Sequence, residues 1–268
     1  MWYLQIVTEM LRFFVIDAFN RDLILSSHGE YCFVAMKPQL VVMDMAGTTV
    51  NDFGLVQQAA IDAMKWKLNL DITMDQANKV MGIPKKTAFE QLCSLNKTMV
   101  TADVIDELVN YFNTQLIEKY AVKGSIELMP YAAELFDHIR SSGAKVYLNT
   151  GFNRQVAEVI VKNLALDGVI HGYIGSDEVD AGRPQPDMIR LAMKRAGVEY
   201  SHLVMKVGDT VSDLYEGFSA GCAWNIGVLT GANSYEELRT APYSQILSNL
   251  QPLLAYFPKS GRMLGGRK

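Results

Sequence analysis

Cysteine is scarce in this chain of 268 residues: Cys32, Cys93 and Cys222 lie far apart. Their spacing fits no zinc pattern, and an odd number argues against a disulfide framework. A reducing, cytoplasmic setting is the expectation that follows. Long apolar runs are lacking as well. The apolar stretch Met1 to Ile16 is interrupted by Glu9 and Arg12 and followed by Asp17, Arg21 and Asp22. No run approaches the ~20 residues that a membrane-spanning helix needs. No basic stretch precedes that segment, which argues against a secretory leader. Positive charge is not in excess either. The chain carries 25 Lys and Arg against 29 Asp and Glu, a net charge of −4, which leaves no basic footprint for nucleic acid. There is no internal repeat, and the one compositionally biased segment is the Gly- and Arg-rich tail, Gly261–Lys268, expected to be loose.

What the chain has is apolar bulk, 49% of its residues, and length enough for a real core with a large insertion or a second domain. The stretch Leu40 to Val50, LVVMDMAGTTV, carries the most information. Its apolar run ends in one carboxylate, Asp44, followed by an Ala-Gly-Thr-Thr turn. A strand delivering an acid into a glycine-bearing loop opens an α/β sheet whose site lies at the strands' carboxyl ends.

Further strands are predicted over Lys145–Thr150, Val169–Ser176, Leu203–Asp209 and Ala223–Leu229, with a short one near Gln245–Leu247. Between them run helical patterns. Tyr131–Ser142 follows a proline and stops at Gly143, Asp187–Ala196 lies between Pro186 and Gly197, and Val211–Ala220 ends at Gly221. Asn153–Asn163 and Leu250–Tyr256 read as helices too. Strands alternating with helices mean a mostly parallel sheet covered on both faces.

The segment Asn51–Leu128 breaks this alternation and reads as helices only. Thr73 with Gln76 resembles a capping box, and Thr101 opens a long helix with Val104, Leu108, Phe112 and Leu116 spaced by four. Val56, Ala59, Ala60, Ala63 and Met64 form one stripe, which serves either the block's own core or a homodimer contact. A helical block inserted after the first strand is placed to exclude water and select a substrate. The first 35 residues fit an extra amphipathic helix or an extension absent if translation starts at Met36. A dimerisation or docking segment is the other reading.

Polar groups recur where the strands end: Asp44, then Thr150-Gly151, then Gly208-Asp209 with Thr210 and Asp213. A hydroxyl and a tight glycine turn leading into a helix make an anion cradle, and clustered carboxylates suit magnesium. Arg183, in Ala181-Gly182-Arg183-Pro184, precedes a helix and can neutralise phosphoryl charge. Taken singly, each of these is ordinary turn or cap chemistry. Their order, each at the end of a predicted core strand, points to attack by a carboxylate on phosphorus.

These motifs resemble the haloacid dehalogenase superfamily over about residues 38–258. Asp44 to Thr48 is similar to its first motif, Thr150-Gly151 to its second, Arg183 to its cationic third, and Gly208-Asp209 with Asp213 to its fourth. The resemblance implies a Rossmann-like core (38–50 and 129–258), a helical cap (51–128), an extension (1–37) and a tail (259–268). It also implies a small phosphorylated or phosphonate substrate, Mg2+, and an aspartyl-phosphate on Asp44. Asp44, the Ala46 carbonyl, Asp209 and Asp213 would serve the metal, and Gly47, Thr48, Thr150, Gly151 and Arg183 the phosphoryl oxygens.

Ala46 stands where most phosphatases of the superfamily carry a second aspartate. The runs Asp44–Val50, Val179–Pro184 and Lys206–Asp213 resemble the phosphonatase branch. There a cap lysine forms an imine with an aldehyde, so the leaving carbon needs no acid. Met81-Gly82-Ile83-Pro84-Lys85 is similar to the segment bearing that lysine, which maps to Lys85. The chain departs from the branch at Ala88, Phe152 and Gly54, where that enzyme has histidine, tyrosine and cysteine. Phosphonoacetaldehyde hydrolysis through Lys85 therefore stands beside simple phosphatase action on an ester or acyl phosphate. Metal-free dehalogenation and a non-catalytic phosphate- or partner-binding module are further alternatives.

Overall fold

The computed structural model describes residues 21–25 and 31–259, and the expected helix within Met1–Ile16 and the tail Gly261–Lys268 lie outside them. Two units are present, 1–38 and 39–268. In the first, β1 (Arg21–Leu25) and β2 (Tyr31–Ala35) pair antiparallel. These stretches are strands and not part of an extra helix.

The second unit starts with β3 (Leu40–Asp44), buried at every position. It continues into β4 (Val50–Asn51) and the helices α1 (Leu55–Leu68), α2 (Met74–Asn78), α3 (Lys85–Leu95) and α4 (Ala102–Ala121), and returns through β5 (Glu127–Leu128). The remaining elements are α5 (Ala132–Ser141), β6 (Lys145–Asn149), α6 (Arg154–Asn163), β7 (Gly172–Ile174), α7 (Asp187–Ala196), β8 (Val204–Gly208), α8 (Val211–Ala220), β9 (Trp224–Val228), the short α9 (Tyr235–Leu238) and β10 (Gln245–Leu247).

Six strands form one parallel sheet in the order β10-β9-β8-β3-β6-β7, an α/β Rossmann-like arrangement. β3, β8 and β9 are buried throughout, as a sheet covered by helices on both faces requires. The register sets Asp44 beside Asn149 and Met43 beside Val207. The loops that follow β3, β6 and β8 therefore leave the same sheet end at its switch point.

Three expectations are corrected. Val169–Ser176 holds a strand of three residues, because the turn that begins at Asp167 and Gly168, the latter at φ +73°, runs through Val169 and the chain still bends at Ile170 and His171. Leu250–Tyr256 is a 3-10 helix over Gln251–Tyr256. The inserted segment is not purely helical: β4 and β5 pair antiparallel at its two ends, so both connections to the sheet run side by side. Its interior is helical. Thr73 and Gln76 form a capping box. Val56, Ala59, Ala60, Ala63 and Met64 are buried within the single chain, as are Leu108, Phe112 and Leu116. Ile105, not Val104, joins that face of α4, since the apolar stripe drifts around a 3.6-residue helix.

Candidate active site

The loops after β3, β6 and β8 enclose a cavity of about 220 Å3. Asp44, Ala46, Thr150, Arg183 and Asp209 line it from the sheet side. Gln57, Met81 and Lys85 line it from the helical insertion. The turn after β3 is folded tightly by its own hydrogen bonds. Thr49 Oγ1 donates to Asp44 O at 2.7 Å, and the Thr49 and Val50 N–H groups donate to Met45 O. Gly47 sits at φ +90°, and a side chain there would run into the Asp209 carboxylate; only glycine lets the turn pass this close.

Arg183 is the hub. Its Nη1 lies 2.5 Å from Asp44 Oδ1 and 3.0 Å from Asp213 Oδ1. Its Nε donates to Glu216 at 3.0 Å, and its Nη2 donates to Asn149 O and Oδ1, both at 2.8 Å. A guanidinium has five N–H groups, and four of those of Arg183 are hydrogen-bonded within the protein. Lys206, fully buried, completes the frame with Asn149 Oδ1 at 2.7 Å and with Asp213 and Glu216 at 2.9 Å each. Asn149 Nδ2 in turn donates to both Glu216 oxygens.

The predicted site residues divide into two groups. Asp44, Ala46, Gly47, Lys85, Thr150, Gly151, Arg183 and Asp209 all border the cavity. Thr48 and Asp213 do not. Thr48 donates its hydroxyl to Asp209 Oδ1 at 2.7 Å, while Asp213 faces Arg183 and Lys206 and accepts from Thr210 Oγ1 at 2.5 Å. Asn149, Lys206 and Glu216 went unassigned in the sequence. The available signal was a lysine within the apolar run of β8.

Electrostatics follow from this packing. Burial raises the Asp44 carboxyl to about 6, against the pull of Arg183. Burial and the charges of Asp44 and Asp213 push Asp209 up to about 8. Burial acts the same way on Asp213, but Arg183 and Lys206 outweigh it and hold that group low. Four carboxyl groups, Asp44, Asp209, Asp213 and Glu216, thus face two buried cations, Arg183 and Lys206. Fully ionised, they would outnumber those cations by two; the raised Asp44 and Asp209 carboxyls register that surplus, which a divalent cation would offset, carboxylates being hard oxygen donors suited to Mg2+.

Lys85, the first residue of α3, places its amine 5.4 Å from the ring centroids of both Phe112 and Phe152. Phe152 follows Thr150-Gly151, so the aromatic contact ties the amine to the loop after β6. Burial, with Arg183 nearby, lowers this amine to about 8 despite Asp44 and Asp52. The segment that carries it is seated on the core. Gly82 packs against Thr210, Gly151 against the Ile83 carbonyl and Gly182 against Pro84.

A family model described as haloacid dehalogenase-like hydrolase matches residues 38–221. A phosphonoacetaldehyde hydrolase of Bacillus cereus (strain B4264) is 31% identical over 211 residues, covering 74% of this chain and 78% of that protein. A bifunctional phosphonoacetaldehyde hydrolase/aminoethylphosphonate transaminase of Clostridioides difficile (strain 630) is 28% identical over 242 residues. That match covers 84% of this chain but 37% of the relative, so the chain spans little more than a third of that protein's length. In fold, the chain is similar to the crystal structure of a phosphonoacetaldehyde hydrolase-like protein from Oleispira antarctica, with a TM-score of 0.68 at 20% identity, covering 82% of this chain and 91% of the other.

Proposed function

This chain belongs to the haloacid dehalogenase-like hydrolase family, and from that premise we propose that it is a phosphonatase-like hydrolase that releases phosphate from a small phosphonate such as phosphonoacetaldehyde. One observation carries the reading: an amine lowered to about 8, that of Lys85, borders the same cavity as Asp44, Thr150 and Asp209. An imine-forming lysine must be neutral near physiological pH, and desolvation achieves this.

In this reading the neutral Lys85 amine adds to the aldehyde and water leaves, giving a protonated imine. Asp44 attacks phosphorus, the carbon–phosphorus bond breaks, and its electron pair flows to the iminium nitrogen, leaving an enamine. The enamine carbon then takes a proton from solvent, restoring an iminium, and water hydrolyses that iminium and the aspartyl-phosphate, releasing acetaldehyde and phosphate. No acid is needed at Ala46, because the iminium takes up the departing electrons. The charge surplus at the sheet end fits a divalent cation held by Asp44, the Ala46 carbonyl and Asp209. When bound, Mg2+ supplies charge neutralisation for the phosphoryl oxygens. Asp213, engaged by Lys206 and Arg183, would hold the frame or reach the ion through water.

A second reading has its own support. Four N–H groups of Arg183 are hydrogen-bonded to Asp44, Asn149 and Glu216 and its Nη1 is ion-paired with Asp213 as well, so Lys85, which borders the same cavity, is the less engaged cation for the phosphoryl group. Lys85 would then stay protonated, and the substrate would be a phosphate with a good leaving group, such as an acyl phosphate. Borohydride reduction in the presence of phosphonoacetaldehyde separates the two. The first reading expects a covalent adduct, lost in Lys85→Ala, together with phosphate release from that aldehyde. Absence of the adduct alongside turnover of acetyl phosphate selects the second. Asp44→Asn abolishes turnover in either case and leaves the fold intact.

A further inference from the structure

A fourth loop reaches the inner cavity and lies outside all four sequence motifs. Thr230, Gly231 and Ala232, beyond β9, border the cavity beside Ala46, Gly47 and Asp209. The loop grips Asp209 directly, for the Ala232 N–H donates to Asp209 Oδ2 at 2.8 Å. The other carboxylate oxygen, Oδ1, accepts from Thr48 Oγ1 on the turn after β3 at 2.7 Å. The loop also grips that turn, for Thr230 Oγ1 donates to Gly47 O at 2.6 Å. These three hydrogen bonds close a ring that runs from the turn to Asp209, on to the loop and back to the turn.

Both ends of the loop are anchored. The Leu229 N–H donates to Leu247 O on β10 at 2.9 Å, and Asn233 Oδ1 accepts from the Val211 N–H at the start of α8 at 2.8 Å. The contact with Asp209 admits no side chain, because a Cβ at Gly231 would run into the carboxylate. On the turn, the Gly47 N–H donates to Val50 O at 2.9 Å. The Ala46 carbonyl belongs to the same planar peptide and so points the opposite way. Gly47 is thus held at its N–H by Val50 and at its carbonyl by Thr230, which leaves the Ala46 carbonyl little freedom to turn.

We propose that Thr230 is a positioning residue for the divalent cation, its hydroxyl holding the Ala46–Gly47 turn in a fixed relation to the Asp209 carboxylate. Thr230 acts through Gly47 and not on the ion. The same short loop fixes the second ligand through Ala232, so one rigid segment sets both the Ala46 carbonyl and Asp209. Groups that orient metal ligands in this way are worth about tenfold to a hundredfold in metal affinity. This inference rests on the reading of the site as a magnesium centre and is independent of the role of Lys85.

Calorimetric titration of Mg2+ into the metal-free full chain tests this without turnover. The wild type is expected to bind Mg2+. Thr230→Val keeps the shape of the side chain and removes the donor, and it should bind Mg2+ about tenfold more weakly or worse, the scale of a lost ligand-orienting group. Thr230→Ser keeps the donor and should bind as the wild type does. Thermal melts without metal accompany each titration, and Thr230→Ala replaces Thr230→Val if the valine variant does not fold. Affinity lost with valine and restored with serine is what positioning through the hydroxyl requires, and a packing role alone does not produce it. Equal affinity in the wild type and Thr230→Val, or equal weakness in Thr230→Val and Thr230→Ser, overturns the proposal. A wild type that binds no Mg2+ rejects the magnesium reading of the site itself, and the role of Thr230 falls with it.

Discussion

Arg183 Nη1 lies 2.5 Å from Asp44 Oδ1, with Arg183 itself 2% exposed, so the proposed nucleophile is held by a buried cation that the rest of the site fixes in place. Other donors of that guanidinium go to Glu216 and Asn149, and Asp213 is its ion-pair neighbour at 3.0 Å. The planar fork fixes where Asp44 points, which a lysine, as a point charge on a flexible stem, does not reproduce.

Two substitutions at Arg183 separate charge from geometry. Arg183→Met leaves three carboxylates short of a cation, and breaking a buried pair in this way costs about 3–5 kcal/mol of stability. Arg183→Lys keeps the charge and loses the fork. It is expected to fold and to lose about 100-fold in kcat, the scale of a misplaced reacting group. Urea midpoints and steady-state phosphate release read the two effects. Unaltered kcat in Arg183→Lys would remove the orienting role.

Much of the fold is readable from local pattern. Leu40–Asp44 is apolar without a break until its acid, and it is the buried central strand. Pro186 and Gly197 bracket α7 as proline and glycine bracket helices generally. The ladder of Val50–Asn51 with Glu127–Leu128 is too short to leave a periodic signature, and its pairing joins residues far apart in sequence. Within the site, the loops were marked by their glycines and acids, but the pairing of side chains was not. Lys206 in an apolar strand reads alike whether its amine reaches water or is fully buried. Only the long-range placement of Asp213, Glu216 and Asn149 decides that.

Gly82 tests whether the segment carrying Lys85 must sit on the core. It lies at φ +76°, and a side chain there meets Thr210 in the loop after β8. Gly82→Ala therefore strains the backbone and lifts the segment away from Thr210. The expected outcome is a fall in kcat/KM of about tenfold or more with a stability loss of about 1–3 kcal/mol, the cost of one strained residue. A normal kcat/KM would mean that this seating is not needed for catalysis.

The charge surplus at the sheet end predicts a metal response that does not depend on turnover. A ligand that binds the folded state alone raises Tm with concentration, by about 2.7 kcal/mol of stability at a hundred times its Kd. Mg2+ is expected to raise the Tm of the wild type and to do so much less in Asp209→Asn, which removes one of the carboxylates bordering the cavity. EDTA should stop phosphate release. A Tm indifferent to Mg2+, with activity kept in EDTA, would favour a metal-free reaction.

Lys85 supplies a pH test whose sign is fixed by its environment. Its amine is lowered from 10.5 to about 8 by burial and Arg183, against Asp44 and Asp52, so the folded chain binds this proton more weakly than the unfolded chain does. Below pH 8 the folded state carries a charge at a disadvantage, and that disadvantage fades as pH rises from about 8 towards 10.5. Lys85→Met should accordingly raise Tm at pH 7, with the gain shrinking by pH 9 to 10. Imine chemistry requires the neutral amine, whose share is about one tenth at pH 7 and half at pH 8. With phosphonoacetaldehyde, kcat/KM is therefore expected to climb with pH and to level off above about 8. If Lys85 instead serves as a phosphate-binding cation, the slope has the opposite sign, and the rate falls as the amine loses its proton through the same range.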